Sequence, residues 1–97
     1  MRVFAFGTLR DFWLTHAGAE EYLRAWYQDA ETANWHSPRD IKDTYPHASI
    51  IANNRVVFNV KGNEFRLVVK IHYNTGRVFV RFVGTHREYD QIDAETI

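Results

Sequence analysis

Cysteine is absent from this 97-residue chain, and proline, methionine and glycine are scarce at two, one and five. The missing cysteines exclude disulfides, a thiolate nucleophile and cysteine-ligated zinc, and fit a reducing, cytoplasmic setting. No segment is rich enough in glycine, proline or serine to be a linker, and no internal repeat or low-complexity tract is found. No apolar run approaches the roughly 18 residues of a membrane-spanning helix. The opening Met1-Arg-Val-Phe-Ala-Phe6 is too short for a secretory leader. The five histidines lack ligand spacing such as His-x-x-x-His, so neither a metal nor a cofactor is expected. A glycine-rich phosphate loop and a recognisable Ser-His-Asp arrangement are missing too.

What is present is a globular composition, 45% hydrophobic and 15% aromatic, in a length that suits one domain over residues 1–97. Its centre is Arg55–Asp90. β-Branched and aromatic runs alternate there with turns at Lys61-Gly62-Asn63 and Asn74-Thr75-Gly76, which predicts an antiparallel meander. Phe65, Leu67, Val69, Ile71 and Tyr73 share one parity and one sheet face, while Arg66, Val68, Lys70 and His72 share the other. In the next strand, Val78, Val80 and Phe82 are expected on the core face. Arg77, Phe79, Arg81 and Val83 are expected opposite. The pattern predicts helices on one side of the sheet and a basic, partly aromatic surface on the other.

Equal numbers of acids and bases, twelve each, hide an asymmetry. Between Arg55 and Arg87 there are seven cations and one acid, Glu64, a net +6, so the rest of the chain carries −6. Such a division can steer a polyanion to one side of the molecule.

The N-terminal half reads as a first strand at Arg2–Phe6, then helices. Thr8 is the expected N-cap of the first, with Leu9, Phe12, Trp13 and His16 at helical spacing. Leu23, Trp26, Tyr27, Ala30 and Ala33 set the apolar stripe of the second, between Ala19 and Asn34. Ser37-Pro38-Arg39-Asp40 opens a short third helix, which Pro46 ends. Ala48–Ile51 is a brief strand, and residues 86–90 have room for one helical turn before a polar tail. The expected class is α+β: two to three N-terminal helices on one face of a curved, mainly antiparallel sheet.

Chemistry-bearing residues gather on or beside the second face: Arg66, Lys70, His72, Arg81, His86, Arg87 and Tyr89. His, Tyr, Lys and Arg are the groups RNA cleavage by its own 2′-hydroxyl requires. A base takes the 2′ proton, cations hold the charge on phosphorus, and an acid protonates the leaving 5′ oxygen. Solvated strand arginines and a structural histidine account for the same residues, so a nuclease, a non-catalytic RNA- or ribosome-binding module and a protein-interaction module all stay open.

Two blocks, Asn-x-x-Gly-Asn-x-x-Arg at 59–66 and Gly-Thr-His-x-Glu-Tyr-Asp at 84–90, together resemble the HigB family of bacterial toxins, part of the wider RelE-like group. The likeness extends through Leu23–Tyr27 and Trp35–Pro46. It implies a RelE-like α/β microdomain and a ribosome-dependent mRNA endonuclease that needs no cofactor. It also implies a HigA-type antitoxin with a helix-turn-helix domain as partner. By position, Arg66 matches the strand arginine that contacts the scissile phosphate, and His86 the acid/base or phosphate-binding residue after the last strand. Tyr89, the third catalytic candidate, lies near the group's C-terminal tyrosine, though the local spacing differs. Lys61, Lys70, Arg81 and Arg87 are the RNA-binding candidates.

Overall fold

The computed structural model describes residues 1–97. The chain runs through β1 (Arg2–Phe4), α1 (Phe6–Thr15), a 3-10 turn at Ala17–Ala19, α2 (Glu20–Thr32) and α3 (Pro38–Thr44). It continues through β2 (Ser49–Ile51), β3 (Arg55–Val60), β4 (Phe65–His72), β5 (Arg77–Thr85) and α4 (His86–Tyr89). The strands form one five-stranded sheet in the order β1-β5-β4-β3-β2. β1 lies parallel to β5, and every other pair is antiparallel. This is the expected α+β class. The β3–β4 reversal uses Lys61 and Gly62 at φ 52° and 64°, and the β4–β5 reversal uses Gly76 at φ 67°. Glycine takes such angles without the steric cost that lysine bears.

One sheet face carries the main core. Leu9 and Trp13 of α1, Leu23, Trp26 and Ala30 of α2, and Ile41 of α3 pack on Val56, Phe58, Val60, Phe65, Leu67, Val69, Ile71, Val78 and Val80. Burying a side chain of this size contributes on the order of 1.5–3 kcal/mol. Along β4 the residues in that set alternate with Arg66, Val68, Lys70 and His72, which point to the other face, as the period of two requires.

The structure differs from the sequence reading in four places. β1 stops at Phe4, and α1 begins at Phe6 with no side-chain cap, so Thr8 is inside the helix. Ala5 makes the corner in the left-handed region at φ 74°. That sharp turn sends Phe6 into the core, 5.6 Å from Trp13 and 4.6 Å from Tyr27 between ring centroids. It leaves Phe4 on the other face. At α3, Ser37 makes no capping bond; the Asp40 carboxylate accepts the His36 N–H instead, at 2.8 Å.

The third difference lies in β5. Val68 pairs with Phe82 and Val69 with Val80, so Arg81 is an extra residue in a β-bulge. The bulge reverses the alternation beyond it. Phe82 turns away from the helices, and Val83 packs against the main core, the opposite of the expected faces.

The fourth concerns the tail, which is not simply polar. Ala94 is buried with Val57 and Val68, and Ile51, Phe82, Tyr89, Ile92 and Ile97 pack around them. Arg55, counted among the surface cations from sequence, is 8% exposed. Its guanidinium donates to the carbonyls of Asn53, at 2.9 Å, and Ile97. The Asn53 amide donates to the Glu95 carbonyl at 3.0 Å. The tail therefore crosses the middle of the second sheet face as a strap.

Candidate active site

α4 begins with a closed pair of capping bonds. Thr85 Oγ1 accepts the Glu88 N–H at 3.1 Å, and Glu88 Oε1 accepts the Thr85 N–H at 2.8 Å. The Thr85 N–H, then its hydroxyl, hold the Glu88 carboxyl below the usual carboxylate range, with a further pull from His16. The His86 N–H donates to the Glu64 carbonyl at 3.1 Å, which pins the start of α4 beside the start of β4. A Cβ on Gly84 would stand 2.5 Å from the Phe82 ζ carbon and 3.1 Å from Glu88 Oε1. Glycine is what lets that ring and the capping carboxylate close over the strand.

Arg66 lies between Asn59 on β3 and Gly84 on β5. Its Nη1 donates to the carbonyls of Asn63 and Phe65, both at 3.2 Å, and no carboxylate lies within 4 Å of it. The His86 ring stands 3.5 Å from the Asp90 carboxylate, one helical turn later. Lys61 Nζ is 3.6 Å from Glu64 and rests against the bare backbone of Gly18, whose Cβ it would meet at 2.7 Å. Arg87 is exposed and has no acidic partner. The Tyr89 ring is half-buried against the Val57–Val68–Ala94 cluster.

Lys61, Arg66, His86 and Tyr89 are thus gathered at one end of the sheet through Glu64 and the Arg66–Gly84 pairing. Lys70 and Arg81 are not with them. Lys70 is four strand residues further along β4, about 13 Å at the usual rise. Arg81 sits in the bulge beside Val68 and Val69.

A cleft of about 440 Å³ adjoins this group, lined in part by Tyr45, His47, Phe58, Asn59 and Asn63. It follows the outer edge of β3 beyond Val57, where β2 has ended. The Asn63 carbonyl that accepts from Arg66 ties the cleft to the basic residues. Three positions of the Asn-x-x-Gly-Asn-x-x-Arg block, Asn59, Gly62 and Asn63, line it.

Sequence reasoning missed Asp90 as a partner for His86 and missed the cap formed by Glu88. Both had a signal: His-x-x-x-Asp places two side chains on one helix face, and Thr-x-x-Glu is the capping pattern. Chemically, the group offers an imidazole beside a carboxylate, a guanidinium with no carboxylate partner, and further cations nearby. These can move protons and neutralise a phosphate. No three His, Asp or Glu side chains are grouped as metal ligands.

A family model described as the HigB toxin, the RelE-like toxic component of a toxin-antitoxin system, matches residues 19–92. The chain is 34% identical over 55 residues to the mRNA interferase toxin HigB of Escherichia coli, a match covering 55% of this chain and 53% of that protein. The mRNA interferase HigB of Shigella flexneri aligns to the same extent. The chain spans about half the length of the curated relatives it matches. With three-quarters of its residues inside the family match, the chain belongs to the HigB toxin family, the RelE-like toxic component of a toxin-antitoxin system.

Proposed function

We propose that this protein is an mRNA interferase: an RNA endonuclease that cuts mRNA on the ribosome in the cytoplasm, without a metal, and so stops translation. Its partner is an antitoxin of the HigA type carrying a helix-turn-helix domain. In the reaction the 2′ oxygen loses its proton and bonds to phosphorus while the bond to the 5′ oxygen breaks. The 5′ oxygen leaves with a proton. Arg66 holds the phosphate, since its planar guanidinium matches two phosphate oxygens. Charge that builds on those oxygens in the transition state makes this contact catalytic rather than merely adhesive. One of these two protons passes through His86, whose ring Asp90 orients. Lys61 and Arg87 add positive charge beside the site, Lys70 and Arg81 attract the strand from further off, and Tyr89 fixes where α4 lies. The cleft along β3 accommodates a nucleobase next to Arg66.

The observation that carries this reading is the His86–Asp90 pair at 3.5 Å next to an arginine with no carboxylate partner, in a chain of the HigB family. The test is mRNA cleavage on programmed ribosomes by the wild type and by Arg66→Ala. The variant is expected to lose about 10²–10³-fold in cleavage rate, the scale of a lost transition-state donor, with an unchanged circular dichroism spectrum. Its side chain closes no part of either core, so folding should survive. A wild-type protein that blocks translation and leaves mRNA intact would replace this reading with that of a non-catalytic ribosome-binding module.

A further inference from the structure

Beyond the strap, on the same sheet face, Phe4 and Phe79 belong to neither hydrophobic core. Their rings stack across β1 and β5 with centroids 5.0 Å apart and planes 13° from parallel. His72 meets Phe79 edge-on at 5.1 Å, and the Arg2 guanidinium lies over the outer Phe4 ring at 5.1 Å. Register places Arg2 beside Arg77 and Arg77 beside His72, and Lys70 beside Phe79. Arg2, Lys70, Arg77 and Arg81 have no carboxylate within 4 Å. In a chain with as many acids as bases, this corner holds cations that the protein itself leaves uncompensated.

We propose that this corner is a second RNA-contact surface, which holds unpaired nucleotides of the mRNA away from the cut. The inference rests on the mRNA-cleavage reading but concerns a separate place. From Arg66 to His72 is six strand residues, about 20 Å. A cross-strand phenylalanine pair is a common way to stabilise a sheet, but it does not call for four unpaired cations around it. Rings beside such cations are the combination that holds single strands, where bases stack on aromatic or guanidinium planes and phosphates meet the charges. A duplex would offer its phosphates here but not its stacked bases, so the surface suits single-stranded mRNA. The outer face of Phe4 is closed only by an exposed arginine, which a base can join or displace. Ala5, held at φ 74°, is the residue that keeps Phe4 on this side while Phe6 enters the core. Strained backbone of this kind gathers at functional positions.

The experiment measures binding of a short pyrimidine 2′-O-methyl oligonucleotide, which lacks the attacking hydroxyl, across a salt series. Arg2→Ala with Arg77→Ala should weaken binding and flatten the plot of log affinity against log salt by about 1.4, or ~0.7 for each phosphate no longer neutralised. Phe79→Leu should weaken binding about fivefold or more and leave the slope unchanged, because a leucine cannot stack. Thermal melting checks that each variant is folded. Wild-type affinity and slope in folded variants would overturn the proposal. So would a poly-glutamate peptide that displaces the oligonucleotide and loses its own affinity in Arg2→Ala/Arg77→Ala, which would make the corner a protein-docking surface. Weaker binding by these variants together with full cleavage by His86→Gln would sink the catalytic assignment and leave this one standing.

Discussion

The second face of the sheet is two different surfaces divided by the C-terminal strap. Along the strap, an arginine and two valines of the meander are closed in: Arg55 is buried, and Val57 and Val68 lie under Ala94. At the β1–β5 corner, the same kinds of residue are left uncovered, with Arg2 and Arg77 exposed and Phe4 and Phe79 only half-buried. Alternation assigns a residue to a face, but what crosses that face decides whether its charge is spent inside the protein. Arg55 is buried and turned onto backbone carbonyls, so its charge faces the protein rather than a ligand. Arg77 has no acidic partner and remains available.

The comparison breaks most sharply at the end that holds Arg66 and His86. His86→Gln should reduce mRNA cleavage by roughly 10²–10⁴-fold while ribosome binding persists, because glutamine keeps the size and hydrogen bonding but carries no proton near neutrality. Quantifying cut mRNA and co-sedimentation with ribosomes in parallel checks both halves. Arg55→Ala tests the strap itself. It removes the donor that two backbone carbonyls rely on and opens space in the smaller core, so a loss of about 3 kcal/mol in denaturant unfolding is expected. Hydrogen exchange should show residues 90–97 losing protection before the main core does. If the tail kept its protection, the smaller core rather than Arg55 would be its anchor.

Two milder substitutions sharpen the picture. Ala5→Gly should stabilise the protein by about 1 kcal/mol in chemical denaturation, since glycine takes the left-handed corner without the Cβ clash. A loss of stability would show that the flexibility glycine brings to the unfolded chain outweighs the relief. The smallest effect is expected at Glu88. Its folded pKa is lowered, so its contribution is present above the unfolded value and fades as pH falls through the folded one. The wild type should therefore lose a little stability on acidification through that window. Glu88→Gln should abolish that part of the dependence, as followed by the melting temperature across an acid pH series.

The helix-facing side of the sheet could be read from sequence because Phe65, Leu67, Val69 and Ile71 alternate without interruption and Leu23, Trp26 and Ala30 match them at helical spacing. The candidate site was partly legible. Arg66 and His86 were named from their blocks, and the fold brings them to one end of the sheet. Lys70 and Arg81 were grouped with them by parity and charge, which carry no information on distance along a strand. Register was the harder problem. An extra residue at Arg81 leaves no mark where its neighbours Phe79, Val80, Phe82 and Val83 are all β-formers, so Phe82 and Val83 were assigned to the wrong faces. The strap was missed because Ile92, Ala94 and Ile97 are too few and too widely spaced to form a period. The Ala5 corner was missed because alanine gives no hint of a left-handed backbone.

The bulge at Arg81 also acts as a switch of sides. Before it, β5 sends Val78 and Val80 to the helices; after it, Val83 takes that side and Phe82 faces the strap. A strand without the extra residue would deliver Gly84 and Thr85 in the opposite phase. α4 and everything after it would then depart on the other side of the sheet, toward layers already filled by α1 and α2. Deleting one exposed arginine would thus cost more than its charge. It would move His86 away from Arg66 and leave Val57 and Val68 without their cover, so the chain's most dispensable-looking side chain marks the point at which the His86 end of the chain is aimed.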